Sequence, residues 1–322
     1  MTEPATIAII GAGNIGSALA HMLAGAGHRV RAWDHFDEVV TTINQRHRND
    51  RFLPGVALDP AITATRSLAE SATAADCALL CVPAAHVMTT AARLYEEHGA
   101  PLPLVCLSKG VDPRTRRPAM LALADAYEDA PSFACGGPCI AEELTGAKRG
   151  MLALAGPDVP LRERIATILR DSGQLLHVSD DRVGTAYGGV FKNVYAILVG
   201  YLSTGAATGD NLLGGALACC SAEAIALGTM LGCEPHCLAG PAGLGDLIAT
   251  GLSGNSHNHS YGAALGRGER PAADALPEGA RSVAHVCAWA EDAGVETPLA
   301  DMVAALVAGE HIAHDRIEAA LC

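Results

Sequence analysis

The stretch Thr6-Ile-Ala-Ile-Ile-Gly11-Ala-Gly13-Asn14-Ile15-Gly16 decides the fold. Residues 6–10 form an apolar, β-branched run that ends at once in glycine, the reading of a parallel strand buried on both faces. Residues 14–26 then take helical spacing, with Ile15, Leu19, Met22 and Leu23 on one stripe. The glycines between them follow the order G-x-G-x-x-G. Between a strand and a helix this pattern is the dinucleotide-binding fingerprint. Gly11 permits the tight turn, Gly13 lets a pyrophosphate approach the backbone, and Gly16 lets helix and strand pack closely. The helix N-terminus offers free N–H groups and positive dipole to the phosphates. Gly11, Gly13, Asn14, Ile15 and Gly16 are therefore the expected cofactor loop. Asp34 lies eighteen residues after Gly16, at the end of a second strand predicted over 28–33. A carboxylate there accepts hydrogen bonds from both ribose hydroxyls of NAD and repels the 2′-phosphate of NADP. Arg31 should point elsewhere, so NAD is expected in preference to NADP.

Working outward, further strand-like runs occur at 77–82, 104–107, 151–155 and 175–178, with helical patterns between most of them. This alternation predicts an α/β, Rossmann-type doubly wound parallel sheet. After about residue 183 no convincing strand remains. Long segments rich in Ala, Leu and Gly take helical spacing at 184–204, 212–232, 281–293 and 298–308. The expected architecture is an NAD-binding domain over 1–182 followed by an all-helical, all-α substrate domain over 183–322. Two segments, 250–260 and 266–279, are rich in Gly, Ser, Asn or Pro and read as loose loops suited to a binding site.

The length of 322 residues suits two domains at roughly 100–200 residues each. Half the residues are apolar and the mean hydropathy is +0.23, which excludes a disordered chain. Aromatics make up only 4%, so the core must come from Ala, Val, Leu, Ile and Cys. The net charge of −13 argues against a nucleic-acid partner or an anionic membrane surface. Apolar runs are broken well short of the ~18 residues a membrane helix needs, so no membrane insertion is expected. The acidic start, Met1-Thr-Glu-Pro, is no secretory signal. The eleven cysteines are odd in number, with no zinc-like spacing. They are expected as reduced core thiols of a cytoplasmic protein, with no metal site.

Several polar residues stand where a core pattern would not ask for them. Ser108-Lys109-Gly110 follows the strand at 104–107, and the carboxyl ends of such strands form the ligand crevice. Lys192-Asn193 interrupts an apolar helix, flanked by Val190, Phe191, Val194 and Ile197. Burial lowers a lysine's pKa and makes it usable as a general acid/base, although snorkelling at a helix edge would explain it too. Asp246 and Thr250 lie one helical turn apart and can converge on a ligand or a lysine; Asp246 could equally be a helix cap.

These motifs together resemble the NAD-dependent glycerol-3-phosphate dehydrogenases of bacterial type, over about residues 6–308. The resemblance rests on the glycine loop, Cys81-Val-Pro83, Ser-Lys109-Gly, Gly137-Pro138 with Ala141-Glu-Glu, Lys192-Asn193, Gly209-Asp-Asn211, Gly243-Leu-Gly-Asp246-Leu, Ser256-x-Asn258 and Glu278-Gly. It implies an oxidoreductase that interconverts dihydroxyacetone phosphate and glycerol 3-phosphate with NAD(H), as a homodimer. By the resemblance, Lys192 would protonate the developing alkoxide, Lys109 would add positive charge beside it, and Asp246 would hold Lys192. Asn193 and Thr250 would bind substrate hydroxyls, and His257 and Asn258 would lie at the phosphate end. Pro83, Ala141 and Glu278 would join the loop and Asp34 in binding NAD.

The chain also departs from that family's pattern. His257 stands where the family usually has the arginine that clamps the phosphate, and a histidine is not its equivalent. Leu213, Cys219, His259 and Ser260 stand where cations are common. The departures put the phosphate in question and leave the redox residues in place. Two alternatives follow: a relative that reduces another hydroxyketone or oxo acid, phosphorylated or not, and an NAD-binding sensor without catalysis. Turnover of dihydroxyacetone phosphate, of another ketone, or of none would separate the three.

Overall fold

The computed structural model describes residues 3–127, 130–206, 208–272, 276–310, 312 and 314–321. Cys322 and the middle of the expected loose segment 266–279 lie outside them. The chain forms two compact units. The first comprises 1–108, 112–135 and 139–182; the second comprises 109–111, 136–138 and 183–322. The division is thus not a single cut, because two three-residue segments after strands of the first unit belong to the second.

The N-terminal unit holds β1 (Thr6–Ile10), α1 (Asn14–Gly25), β2 (Arg29–Trp33), α2 (Asp37–Arg46), β3 (Thr63–Thr65), α3 (Leu68–Ala72), β4 (Cys77–Leu80), α4 (Val87–His98), β5 (Leu104–Cys106) and α5 (Ala119–Ala126). It continues with β6 (Ser132–Gly136), α6 (Ala141–Thr145), β7 (Met151–Ala155), α7 (Val159–Asp171) and β8 (Leu175–Ser179). The strands form one sheet in the order β3-β2-β1-β4-β5-β6-β7-β8. Pairings such as Ile10 with Trp33 and with Leu80 are parallel. Ile7, Ile9, Leu79, Val105 and Phe133 share a core with α1, α6 and α7. Ala8, Ile10, Ala78, Leu80 and Cys106 alternate with them and are as deeply buried, so both faces of the sheet are covered. This is the doubly wound sheet the sequence predicts.

The composition account of the cysteines holds in this core. Burial lifts the Cys77 thiol to about 12 and that of Cys106 to about 11, and it pushes Cys81 well up. Such thiols pack as small apolar residues.

Among the described residues the C-terminal unit is all helical: α8 (Arg182–Leu202), α9 (Asp210–Met230), α10 (Pro235–Leu238), a π-helical turn (Pro241–Gly245), α11 (Asp246–Leu252), α12 (His257–Gly266), α13 (Glu278–Ala293), α14 (Pro298–Ala308) and α15 (His314–Leu321). α9 is a long apolar stretch of this unit, although glycines and Glu223 interrupt it. It is long and apolar enough to cross a membrane by length and composition. Its one inward charge, Glu223, accepts from Tyr195 Oη and from the N–H groups of Leu299 and Ala300, and so caps α14. The expected loop at 250–260 is also shorter than its composition suggests. Ser256 Oγ accepts from His259 N, and this cap starts α12 at His257.

Candidate active site

The cofactor loop is made by the N-terminal unit alone. Gly11 N and Ala12 N both donate to Trp33 O, at 2.9 and 3.2 Å, which turns the chain from β1 into α1. Gly11 takes φ +102°, a conformation that disfavours side chains. A methyl group on Gly16 would lie 2.1 Å from Gly11 O and 3.2 Å from Cys81 Cβ, so strand and helix meet only because that position is bare. Gly13 differs: beyond its own chain neighbours, no protein atom lies within 4 Å of where its side chain would begin. Nothing in the protein requires glycine there, and the open space is what a pyrophosphate needs. Gly13 also caps α1 without a side chain, which leaves the first-turn amides to a ligand. The loop therefore fits a dinucleotide.

The other expected cofactor residues of this unit have distinct places. Asp34 follows β2 and is 4% exposed; its Oδ1 accepts from Phe36 N at 3.0 Å. Arg31 turns away, as expected, and donates to Thr73 O. Asn14 Nδ2 donates to Glu142 Oε1 at 2.7 Å, and Ile15 packs on the core. Pro83 is exposed after β4, and Ala141 is the buried first residue of α6. Glu278 belongs to the C-terminal unit, as the first residue of α13.

The second cluster lies within the C-terminal unit. Asp246 opens α11 and is 2% exposed. Its Oδ2 accepts from Lys109 Nζ at 2.6 Å, and its Oδ1 lies 3.3 Å from Lys192 Nζ. Burial works to raise this carboxyl's pKa, but the two ammonium groups outweigh it and hold the group below its ordinary value. Lys192 also donates to Thr250 Oγ1 at 2.9 Å, and Thr250 Oγ1 donates to Asp246 Oδ1 at 3.1 Å. Lys109 donates to Gly137 O at 2.9 Å. Two cations share one anion, which leaves net positive charge in a partly desolvated place. Such charge stabilises a developing oxyanion.

The sequence pairs Asp246 with Lys192; the structure gives it both lysines, Lys109 the nearer. The amides serve their neighbours. Asn193 Nδ2 donates to Lys109 O at 2.8 Å, Asn258 Nδ2 donates to Asn193 Oδ1 at 2.9 Å, and Gly279 N donates to Asn258 Oδ1 at 2.9 Å. This chain of bonds ties α13, α12 and α8 to the backbone of Lys109. His257 is exposed at the first position of α12. Of the other positions that lack a cation, Leu213 is half-buried in the first turn of α9. Cys219 Sγ contacts Leu321 O on α15. His259 Nδ1 bonds Gly251 O, and Ser260 Oγ donates to Gly254 O.

Sequence reasoning missed two contributors. The Gly137 carbonyl on Lys109 follows from a turn at φ +90°, and a carbonyl's aim has no sequence signal. Asn49, fully buried between α2 and β3, holds the glycine loop, and no motif marks it.

Known proteins resemble this chain over nearly its whole length. The family model for the NAD-dependent glycerol-3-phosphate dehydrogenase N-terminus matches residues 6–159, and that for its C-terminus matches 181–318. A glycerol-3-phosphate dehydrogenase (NAD(P)+) of Chelativorans sp. is 34% identical over 100% of this chain and 98% of its own. One from Sphingopyxis alaskensis is 37% identical over 100% and 97%. The crystal structure of glycerol-3-phosphate dehydrogenase from Coxiella burnetii superposes with a TM-score of 0.88 at 25% identity, over 99% of this chain and 98% of that one. The chain belongs to the NAD-dependent glycerol-3-phosphate dehydrogenase family, and it is an NAD-dependent oxidoreductase acting on a CH–OH group.

Proposed function

We propose that the protein reduces dihydroxyacetone phosphate to glycerol 3-phosphate, and runs the reverse reaction, with its cofactor on the glycine loop and its chemistry at the Lys109–Asp246–Lys192 cluster. The observation that carries this reading is the pair of ammonium groups on one buried carboxylate. Bound NADH supplies a hydride to the carbonyl carbon. Lys192 gives a proton to the carbonyl oxygen as it becomes an alkoxide, and regains one from solvent. Lys109 adds positive charge beside that oxygen, and Asp246 holds both lysines. Thr250 aims Lys192, and Asn193 and Asn258 hold the Lys109 backbone, so these three position the machinery as well as meeting substrate. Gly11, Gly13, Asn14, Ile15, Gly16, Asp34, Pro83, Ala141 and Glu278 are assigned to the cofactor. Asp34 makes NAD the preferred form.

We assign the phosphate end to a modified site, where the His257 side chain at the N-terminal end of α12 stands in for an arginine. The enzyme is assigned to the cytoplasm, in keeping with the buried thiols of Cys77, Cys106 and Cys135, and is assigned as a homodimer. Exposed Met230, Ile248 and Leu252 offer apolar surface for the contact.

The test is NADH oxidation, followed by absorbance, with dihydroxyacetone phosphate, dihydroxyacetone and oxo acids. The expected result is the highest kcat/KM for dihydroxyacetone phosphate. Faster turnover of an unphosphorylated ketone would overturn the substrate, and NADH binding without turnover of any ketone would overturn the activity.

A further inference from the structure

We propose that Asn49 is a positioning residue for the cofactor, acting as a clamp that aims the glycine loop. It rests on the placement of NAD at that loop. Asn49 lies in the segment joining α2 to β3 and is fully buried. Its Nδ2 donates to Ala12 O at 2.6 Å and to Ser17 Oγ at 2.8 Å, across more than thirty residues of chain. Ser17 Oγ, itself buried, donates to the same Ala12 carbonyl at 3.0 Å. The other end of the amide is engaged too: Oδ1 accepts from Phe52 N at 3.3 Å, and the Asn49 carbonyl accepts from Leu53 N at 2.8 Å. A carboxamide is the side chain that can donate two protons one way and accept the other way.

The consequence for the loop is geometric. A trans peptide points its N–H opposite to its C=O, and no peptide described here is cis. Two donors hold the Ala12 carbonyl toward Asn49 and Ser17. The N–H of Gly13 is therefore aimed the other way. Gly13 is the loop residue whose side-chain direction is open. Asn49 thus fixes an amide that a pyrophosphate oxygen can use, without itself touching the cofactor. The charged groups around it are engaged elsewhere. Arg48 pairs with Asp50 at 3.3 Å, Arg51 lies over Phe36 and within 3.5 Å of Glu38, and on α1 His21 Nδ1 accepts from Asp59 N.

Asn49→Asp separates aim from fold. The carboxylate keeps the acceptor for Phe52 N but replaces two donated bonds with repulsion toward Ala12 O. At pH 8 the NADH dissociation constant, read from NADH fluorescence, should rise at least about tenfold over wild type. The kcat at saturating NADH should stay within about twofold, since the reacting groups are untouched. Burial raises a carboxyl's pKa, and the protonated acid donates again, so the ratio to wild type should shrink at pH 6. A ratio near one at pH 8 would overturn the proposal. A large ratio that is flat with pH would also overturn it, because that marks damage rather than a lost donor. Should Asn49→Asp not fold, Ser17→Ala decides: NADH affinity should fall about threefold or more at constant kcat, and no change overturns the clamp. Gly13→Val is the control for the cofactor's placement. Wild-type NADH affinity in that variant would overturn the loop assignment and the clamp together. Lost affinity there, beside unchanged affinity in the Asn49 and Ser17 variants, would overturn the clamp alone.

Discussion

On the proposed function, the glycine loop of the N-terminal unit and the lysine cluster of the C-terminal unit would solve the same problem, holding negative charge, by different means. The loop works with neutral parts: backbone amides, a helix dipole and missing side chains. Its residues adjoin in sequence, and its shape comes from close packing against Cys81 and Val82 after β4 and from the Trp33 carbonyl. The cluster works with formal charge, brought together from Lys109, Lys192 and Asp246, far apart in the chain. The difference teaches where each is vulnerable. The loop should fail through bulk and be nearly indifferent to pH. The cluster should fail through charge and respond to acid.

The largest break in that comparison should come from Asp246→Asn. Removing the shared anion leaves two half-buried ammonium groups facing each other. The turnover number should fall about 10²-fold or more. Unfolding free energy should drop by about 3 kcal/mol, the low end for breaking a buried pair because both lysines keep some exposure. Acid should mimic part of this. The Asp246 carboxyl is held below its ordinary value of 3.8 in the folded protein. Its contribution to stability is therefore full above that pH and is lost as pH falls through the lower folded value. Denaturant titrations from pH 6 to pH 2 should show a steeper loss for wild type than for the Asn variant. Parallel curves would remove the cluster's electrostatic character.

Within the loop, two alanine substitutions should divide folding from binding. Gly16→Ala puts a methyl 2.1 Å from Gly11 O and should cost about 1–3 kcal/mol of stability. Gly13→Ala meets no protein atom within 4 Å beyond its own chain neighbours; it should leave the melting temperature within about 2 °C while weakening NADH binding several-fold. Unchanged NADH binding in Gly13→Ala would show that the open space at Gly13 has no ligand role.

Two smaller effects sharpen the edges of each site. Asp34 should favour NADH over NADPH by about tenfold in kcat/KM, roughly 1.4 kcal/mol, and Asp34→Ala should shrink that ratio. His257→Arg should lower KM for dihydroxyacetone phosphate, up to about tenfold, because a guanidinium can clamp a phosphate with two parallel donors. An unchanged KM would mean that another residue holds the phosphate.

The two regions were also unequally legible. The strand, loop and first helix could be read from residues 6–26 because every determinant is local: β-branched residues, bare turn positions, one apolar stripe. Lys192 could be singled out because charge breaks an apolar helix. Asp246 and Thr250 showed their spacing but not their partners. That Asp246 would take Lys109 nearer than Lys192 depends on segments 109–111 and 136–138 joining the C-terminal unit. Such a join is a long-range event with no periodicity. β6 is hard to read from the sequence because it is short and holds Ala134 and Gly136, which are depleted in strands; its place between β5 and β7 makes it a strand. β3 has three residues, too few for a pattern. α12 hid behind polar residues, since its start is set by the Ser256 cap rather than by an apolar stripe.

The central claim, that the loop binds and the lysines react, is tested most directly by Lys192→Ala with NADH held far above its dissociation constant. Reduction of dihydroxyacetone phosphate should slow by about 10²–10⁴-fold while the NADH dissociation constant stays within about twofold of wild type. A rate within about threefold of wild type would contradict the account, and so would an NADH affinity that falls in step with the rate.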